Sequence, residues 1–123
     1  MVGSPASISD RLIIDPTVRK AIDALQRGKV RIWLSLFVKE AVLYDHGNAM
    51  TAGEFIEKSV GQEYFICIDG TDDGGQSVFG SYHSVQWGDF RVSFRFILVE
   101  RKKTGRSGVV NRIGRLDISQ VVY

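Results

Sequence analysis

The sequence predicts an α+β fold, with helices packed on one face of a strongly curved, mainly antiparallel sheet. Helix start and stop signals crowd the N-terminal half of the chain. After Gly61 the pattern changes to aromatic and β-branched runs separated by turn clusters, as strands require. Helices followed by strands segregate into two layers instead of interleaving as βαβ units. A length of 123 residues suits one domain with a single core. The expected division is a loose segment over 1–14 and one domain over 15–123.

The first helix starts at Asp15-Pro16, where Asp caps and Pro occupies a position whose N–H needs no partner. Val18, Ala21, Ile22 and Leu25 recur on one face, and Gly28 ends the helix because glycine tolerates the left-handed conformation. A second helix carries Val30, Trp33, Leu34 and Phe37 on one stripe, which Ile32 and Leu36 widen. Ala41 to Asp45 reads as a short strand closed by the turn cluster His46-Gly47-Asn48. Thr51-x-x-Glu54 is a capping box that opens a third helix over 52–60, with Met50 and Phe55 placed as a staple across it. Tyr64 to Asp69 is a strand, and Gly70 to Gly75 a loop.

The run from Val78 to Val99 reads as a long hairpin turning at Gly88-Asp89. That register sets Trp87 against Phe90, Val85 against Val92, His83 against Phe94, Ser81 against Phe96 and Phe79 against Leu98. Side chains alternate along strands, so these ten share an aromatic inner face on which His83 is the one titratable group. Gln86, Arg91, Ser84, Ser93, Tyr82 and Arg95 fall on the outer face. Lys103 to Gly108 turns into a last strand, Val109 to Val122, with Val110, Leu116, Ile118 and Val122 on one face and Arg115 and Asp117 on the other. Arg112 interrupts that apolar face near its start. A twisted sheet curling over helices leaves a conical interior open at one end, a shape suited to ligands.

Composition excludes several classes. Lysine and arginine total 16 against 14 acids, a net charge of +2 that is too small to argue for nucleic acid. The late cations Arg101, Lys102, Lys103, Arg106, Arg112 and Arg115 read as a solvated hairpin end rather than a phosphate track. The lone Cys67 has no disulfide partner, and no Cys/His spacing suggests a metal. No cofactor motif appears: Gly70 to Gly75 carries acids, which suit a turn and not a phosphate. No apolar run is long enough to cross a membrane, and residues 1–9 lack a secretory pattern, so a cytoplasmic location is expected.

The helix–Gly–helix opening, Leu34-Ser35-Leu36-Phe37 running into Ala41-Val42-Leu43-Tyr44-Asp45, and Phe94-Arg95-Phe96 resemble the nuclear transport factor 2-like superfamily. The chain is most similar to its SnoaL-like, ketosteroid-isomerase-like branch over residues 15–121. The resemblance implies a cystatin-like cone. It implies no single activity, because that fold hosts isomerases, dehydratases, cyclases and non-catalytic binders. Asp45 falls where ketosteroid isomerases keep a proton-shuttling aspartate, but their enolate-binding tyrosine and protonated aspartate fall on Ala21 and Val92, which cannot donate. Gly80-Ser81-Tyr82-His83 looks like a catalytic-histidine strand of scytalone dehydratase, whose other histidine falls near Tyr64.

Two functions from different classes follow. In one, Asp45 and His83 converge in the cone and move a proton on a small cyclic, apolar substrate, the imidazole being suited by its titration near neutral pH. Trp33, Tyr44, Phe55, Tyr64, Ser81, Trp87 and Phe94 would line that pocket. In the other, the cone holds a ligand or is filled, and the outer sheet face pairs two copies of the chain into a homodimer. Both readings call for no metal or cofactor and no nucleic-acid or membrane partner.

Overall fold

The computed structural model describes residues 12, 14–103, 105 and 108–121. Most of the segment 1–14, together with Arg106 and Val122, lies outside the described residues. Helix α1 spans Pro16–Arg27, capped by the Asp15 carboxylate on the backbone N–H groups of Thr17 and Val18, and it ends at Gly28 with φ 68°. Its buried stripe is Val18, Ala21, Ile22, Ala24 and Leu25, the face read from the spacing plus one alanine. Helix α2, Val30–Ser35, is shorter than the sequence suggests. Phe37 has already joined strand β1, Phe37–Asp45.

Strand β2, Asn48–Met50, and helix α3, Ala52–Ser59, follow. Both halves of the Thr51–Glu54 capping box are formed. The third helix is thus separated from the first two by a pair of strands where the sequence suggests one short strand, so the three helices do not form a continuous N-terminal layer. Strand β3 runs Glu63–Asp72, past the expected strand end, and leads through a single 3-10 turn at Asp73–Gly75 to strand β4, Ser77–Ser84. Strands β5, Gly88–Lys102, and β6, Val109–Gln120, complete a six-stranded sheet in the order β2-β1-β6-β5-β4-β3.

The sheet is mixed: β1 and β6 run parallel, while the other neighbours are antiparallel. The chain can return to β6 in that sense because more than sixty residues separate the strands, enough for a crossover. Helix α1 crosses the inner face between β6 and the β3 edge. The Gln26 amide pins it there, donating to the Phe65 carbonyl at 3.0 Å and accepting from the Phe65 N–H at 2.8 Å.

The hairpin register differs from the one expected. Ser84 pairs with Gly88, His83 with Asp89, Tyr82 with Phe90, Gly80 with Val92 and Val78 with Phe94. The turn is therefore the three-residue loop Val85-Gln86-Trp87, closed by Gly88 with φ 80°. Three-residue loops place a left-handed residue where the strands rejoin, and glycine fills that position here. The offset is odd, so the faces of β4 are exchanged relative to β5. Phe90, Val92, Phe94 and Phe96 point inward as expected, but Tyr82 joins them in the core while His83, Ser81 and Phe79 go to the outer face. In β6, Gly114 is a bulge between Ile113 and Arg115, which brings Ile113 inward with Leu116 and Ile118 and accounts for the interruption at Arg112.

Candidate functional site

The interior of the sheet is filled. Trp33, Phe55, Phe65, Tyr82, Phe94 and Phe96 are all fully or nearly fully buried and meet at ring separations of 4.9 to 6.4 Å. The Trp33 indole N–H donates to the Ala52 carbonyl at 3.1 Å, fixing the ring between α2 and α3. Such a cluster stabilises the core by area and by ring geometry. Concavity lies at the rim of the sheet.

There a cleft of about 550 Å³ opens among Asp45, His46, Asn48, Lys58, Gln86, Trp87, Asp89, Phe90 and Gln120. Its wall begins at the two-residue hairpin joining β1 to β2. Asp45 pairs with Asn48, while His46 and Gly47 take φ values of 52° and 85°, the two positive angles of a type I′ turn. The His46 N–H donates to the Ile118 carbonyl of β6 at 2.9 Å, so the turn is bolted to the sheet. Asp45 is the inward residue at the end of β1, with its side chain only 12% exposed. Its Oδ1 meets His46 Nδ1 at 2.8 Å, and its Oδ2 accepts from Lys58 Nζ at 2.5 Å. Lys58 comes from the last turn of α3 and also lies 5.7 Å from the centre of the Phe55 ring. Each oxygen of Asp45 therefore has one neighbour, and the exposed groups beside it are the imidazole and the ammonium.

The facing wall is the β4–β5 loop. The Val85 N–H donates to the Gln62 carbonyl at 2.9 Å and the Trp87 N–H to Ser84 Oγ at 3.2 Å, which holds the loop while leaving the Trp87 side of it in solvent. Trp87 is 71% exposed. Phe90 stands edge-on to His46 with ring centres 6.0 Å apart. Beneath the rim, the Tyr82 hydroxyl donates to Glu63 Oε1 at 3.4 Å and Ser84 Oγ donates to Glu63 Oε2 at 3.3 Å. Burial pushes the Tyr82 phenol well above its usual value near 10, and the charges of Glu63 and Asp45 push it further.

Neither a known protein family nor a curated protein matches the sequence. Solved structures do match in shape. A protein from Sphaerobacter thermophilus superposes with a TM-score of 0.64 at 16% identity, over 87% of this chain and 94% of that one. A ketosteroid isomerase-like protein from Erwinia carotovora atroseptica gives 0.58 at 16% identity, over 94% of this chain and 100% of that one. A nuclear transport factor 2-like protein of unknown function in nutrient uptake from Rhodospirillum rubrum gives 0.61 at 14% identity, over 86% and 96%. The chain has the nuclear transport factor 2-like fold.

Within this fold the residues singled out from the sequence part company. Asp45 and Trp87 line the rim cleft. Trp33, Phe55 and Phe94 belong to the packed core instead of a pocket. Tyr44 faces outward beneath Arg115, whose guanidinium carbon sits 4.5 Å from the ring centre. Ser81 also faces outward and accepts from Arg91 at 3.1 Å, beside the two-point Arg91–Asp69 ion pair. His83 is on the outer face too, with Nδ1 2.7 Å from Asp89 Oδ1 and its ring 5.1 Å from that of Tyr64. The expected convergence of Asp45 and His83 in one interior cavity is therefore corrected: His83 borders the cleft only through Asp89. The cause is the hairpin register, which turns position 83 away from the core.

His46 and Lys58 are the charged-cluster members among the cleft residues that the sequence reading passed over, with Asn48, Gln86, Asp89, Phe90 and Gln120. His46 was visible only as part of a turn cluster, although its place beside an inward-facing aspartate at a two-residue turn is a usable signal. Lys58 sits at the polar end of an amphipathic helix, and nothing local in the sequence points it at Asp45. Among the described residues no group of three or more His, Cys, Asp or Glu side chains could hold a metal ion. No described helix is long and apolar enough to cross a membrane.

Proposed function

We propose that the chain is a small-molecule binding protein whose site is the cleft at the rim of the cone. The observation that carries this reading is the division of the interior. Aromatic rings pack the described interior, and the rim cleft sets an exposed indole opposite an Asp45–His46–Lys58 cluster. A cleft of about 550 Å³ is within the range that accommodates drug-sized ligands. Trp87 and Phe90 offer faces and edges for a small cyclic or aromatic molecule. His46, Lys58, Asn48, Gln86 and Gln120 offer hydrogen bonds to a polar substituent. Binding is favoured over proton shuttling at carbon because a shuttling carboxylate needs a free oxygen aimed at substrate. Both Asp45 oxygens are engaged by neighbours.

One observation supports a second, catalytic reading in line with the SnoaL-like resemblance. The 2.8 Å Asp45–His46 contact has the geometry of a base and the carboxylate that orients it. In that case Nε2 of His46, rather than His83, would exchange the proton. We also propose that the outer sheet face pairs two copies of the chain. Val42, Ile66 and Ile97 are each more than a third exposed there, interspersed with paired charges, which suits a two-fold contact.

Native mass spectrometry of freshly purified protein tests the main reading. A retained small molecule on wild type that is absent from Trp87→Ala is the expected result. Equal retention by Trp87→Ala and His46→Ala would remove the rim cleft as the site. The same spectra count subunits.

A further inference from the structure

At the opposite ends of the same strands lies a second concavity with different chemistry. Strand β1 leaves its partner there: Phe37 pairs with Ile113, yet the next pairing is Val42 with Arg115, so residues 38–41 stand off the edge of β6. Between this detached stretch and the projecting β5–β6 arm lies a groove of about 620 Å³ lined by Phe37, Val38, Lys39, Glu40, Arg101, Lys102, Lys103, Val110 and Arg112. Five of these side chains are cationic and one is acidic. The groove thus carries four more positive than negative charges, twice the net charge of the whole chain. The remainder of the protein is net negative, so the field is concentrated at this end.

Among the described residues, Arg101 alone of the five has an ion-pair partner, Glu40. Lys39, Lys102, Lys103 and Arg112 have none, and gathering like charges in a concave site is unfavourable unless an anion shares it. Elsewhere the sheet treats its arginines differently: Arg91 pairs with Asp69, Arg95 with Asp73 and Arg115 with Asp117. Among the described residues, the unpaired cations of the sheet therefore do not continue as a track along its outer face.

We propose that this groove binds a compact, multiply charged phosphate-bearing anion. Guanidinium groups match phosphate oxygens in pairs, and ammonium groups add point charges around them. Arg112 and Arg101 supply the first kind, and Lys39, Lys102 and Lys103 the second. The apolar floor of Phe37, Val38 and Val110 adds no competing acceptor side chain, so Glu40 is the sole acidic competitor lining the groove. An arriving phosphate competes with that carboxylate for Arg101. Among the described cations of the sheet, those without an ion pair gather in this one groove, which favours a compact soluble anion over a nucleic-acid strand or a lipid surface. The inference is independent of what occupies the rim cleft.

The test is isothermal titration of the full chain with inorganic tripolyphosphate at low ionic strength. Parallel arms use a single-stranded RNA oligonucleotide and phosphatidylcholine vesicles containing phosphatidylserine. Tripolyphosphate should bind one-to-one and weaken as salt is added. Lys102→Gln, Lys103→Gln and Arg112→Gln should each reduce affinity about tenfold, because each removes a charge-assisted hydrogen bond. Glu40→Gln should tighten binding by freeing Arg101. Thermal melts of the variants, whose altered side chains lie at the surface, check that folding is intact. Failure of tripolyphosphate to bind, equal binding by a folded triple variant, or binding of only the RNA or only the vesicles would each overturn the proposal.

Discussion

Replacing Gly80 by alanine tests the pairing of β4 with β3, in which Tyr82 lies beside Phe65 and His83 beside Tyr64. A Cβ built at Gly80 would lie 2.0 Å from the Cys67 carbonyl oxygen and 3.0 Å from the Ile68 Cα. These are backbone atoms, so no side chain can swing aside. An ordinary carbon–oxygen contact is about 3.3 Å, so β3 and β4 would have to part by roughly 1.3 Å at this point. A ladder hydrogen bond stretched that far no longer qualifies as one. Losing two such bonds at about 1 kcal/mol each, with about 1–3 kcal/mol of packing strain, gives a destabilisation of about 3–5 kcal/mol. For a domain of this size that lowers Tm by about 12–20 °C. Urea titration and a thermal scan measure both quantities. Gly53→Ala is the internal control, because its Cβ would meet nothing nearer than 3.8 Å. Lying within α3, that substitution should be neutral or stabilising by up to about 1 kcal/mol. A Gly80→Ala variant within about 1 kcal/mol of wild type would refute the close approach of β3 to β4 and the pairing of Ile68 with Gly80.

Further outcomes follow from the same geometry. Tyr82 favours its protonated form in the folded state, so its contribution to stability is complete below pH 10 and declines as pH rises from there toward the elevated folded value. Tyr82→Phe should therefore flatten the alkaline limb of stability measured by denaturant titration. Thr51→Ala removes half of a formed capping box and should cost about 1 kcal/mol in the same assay. His83→Ala breaks a surface pair with Asp89 and should change stability by less than about 1 kcal/mol while leaving rim-cleft binding unaltered. Trp87→Ala, at an exposed loop position, should leave Tm within a degree or two of wild type yet abolish ligand retention.

The helices were legible because their signals are local. Asp15-Pro16, Gly28 and Thr51-x-x-Glu54 each act within one turn of chain, and each does in the structure what its chemistry dictates. The inward face of β5 was legible for the same reason, since Phe90, Val92, Phe94 and Phe96 alternate without ambiguity. Strand β4 was not, because both of its faces carry aromatic and polar residues: Val78 and Tyr82 on one, Phe79 and His83 on the other. Only the loop could decide between them, and a glycine with positive φ serves a two-residue turn and the end of a three-residue loop equally well. Gly88 was the right signal read in the wrong loop position. The parallel β1–β6 pairing and the detachment of residues 38–41 depend on contacts between distant segments, which no window of sequence contains. The same holds for the Lys58–Asp45 contact, which joins α3 to the end of β1.

The most direct test of the rim-cleft account is a protein-observed NMR titration with small aromatic ring fragments carrying one polar substituent. Saturable shift changes should gather on His46, Lys58, Phe90 and the Trp87 indole, leaving the buried Trp33 indole signal in place. Shifts centred on Trp33 and Phe94, or on the outer face around His83, would contradict it.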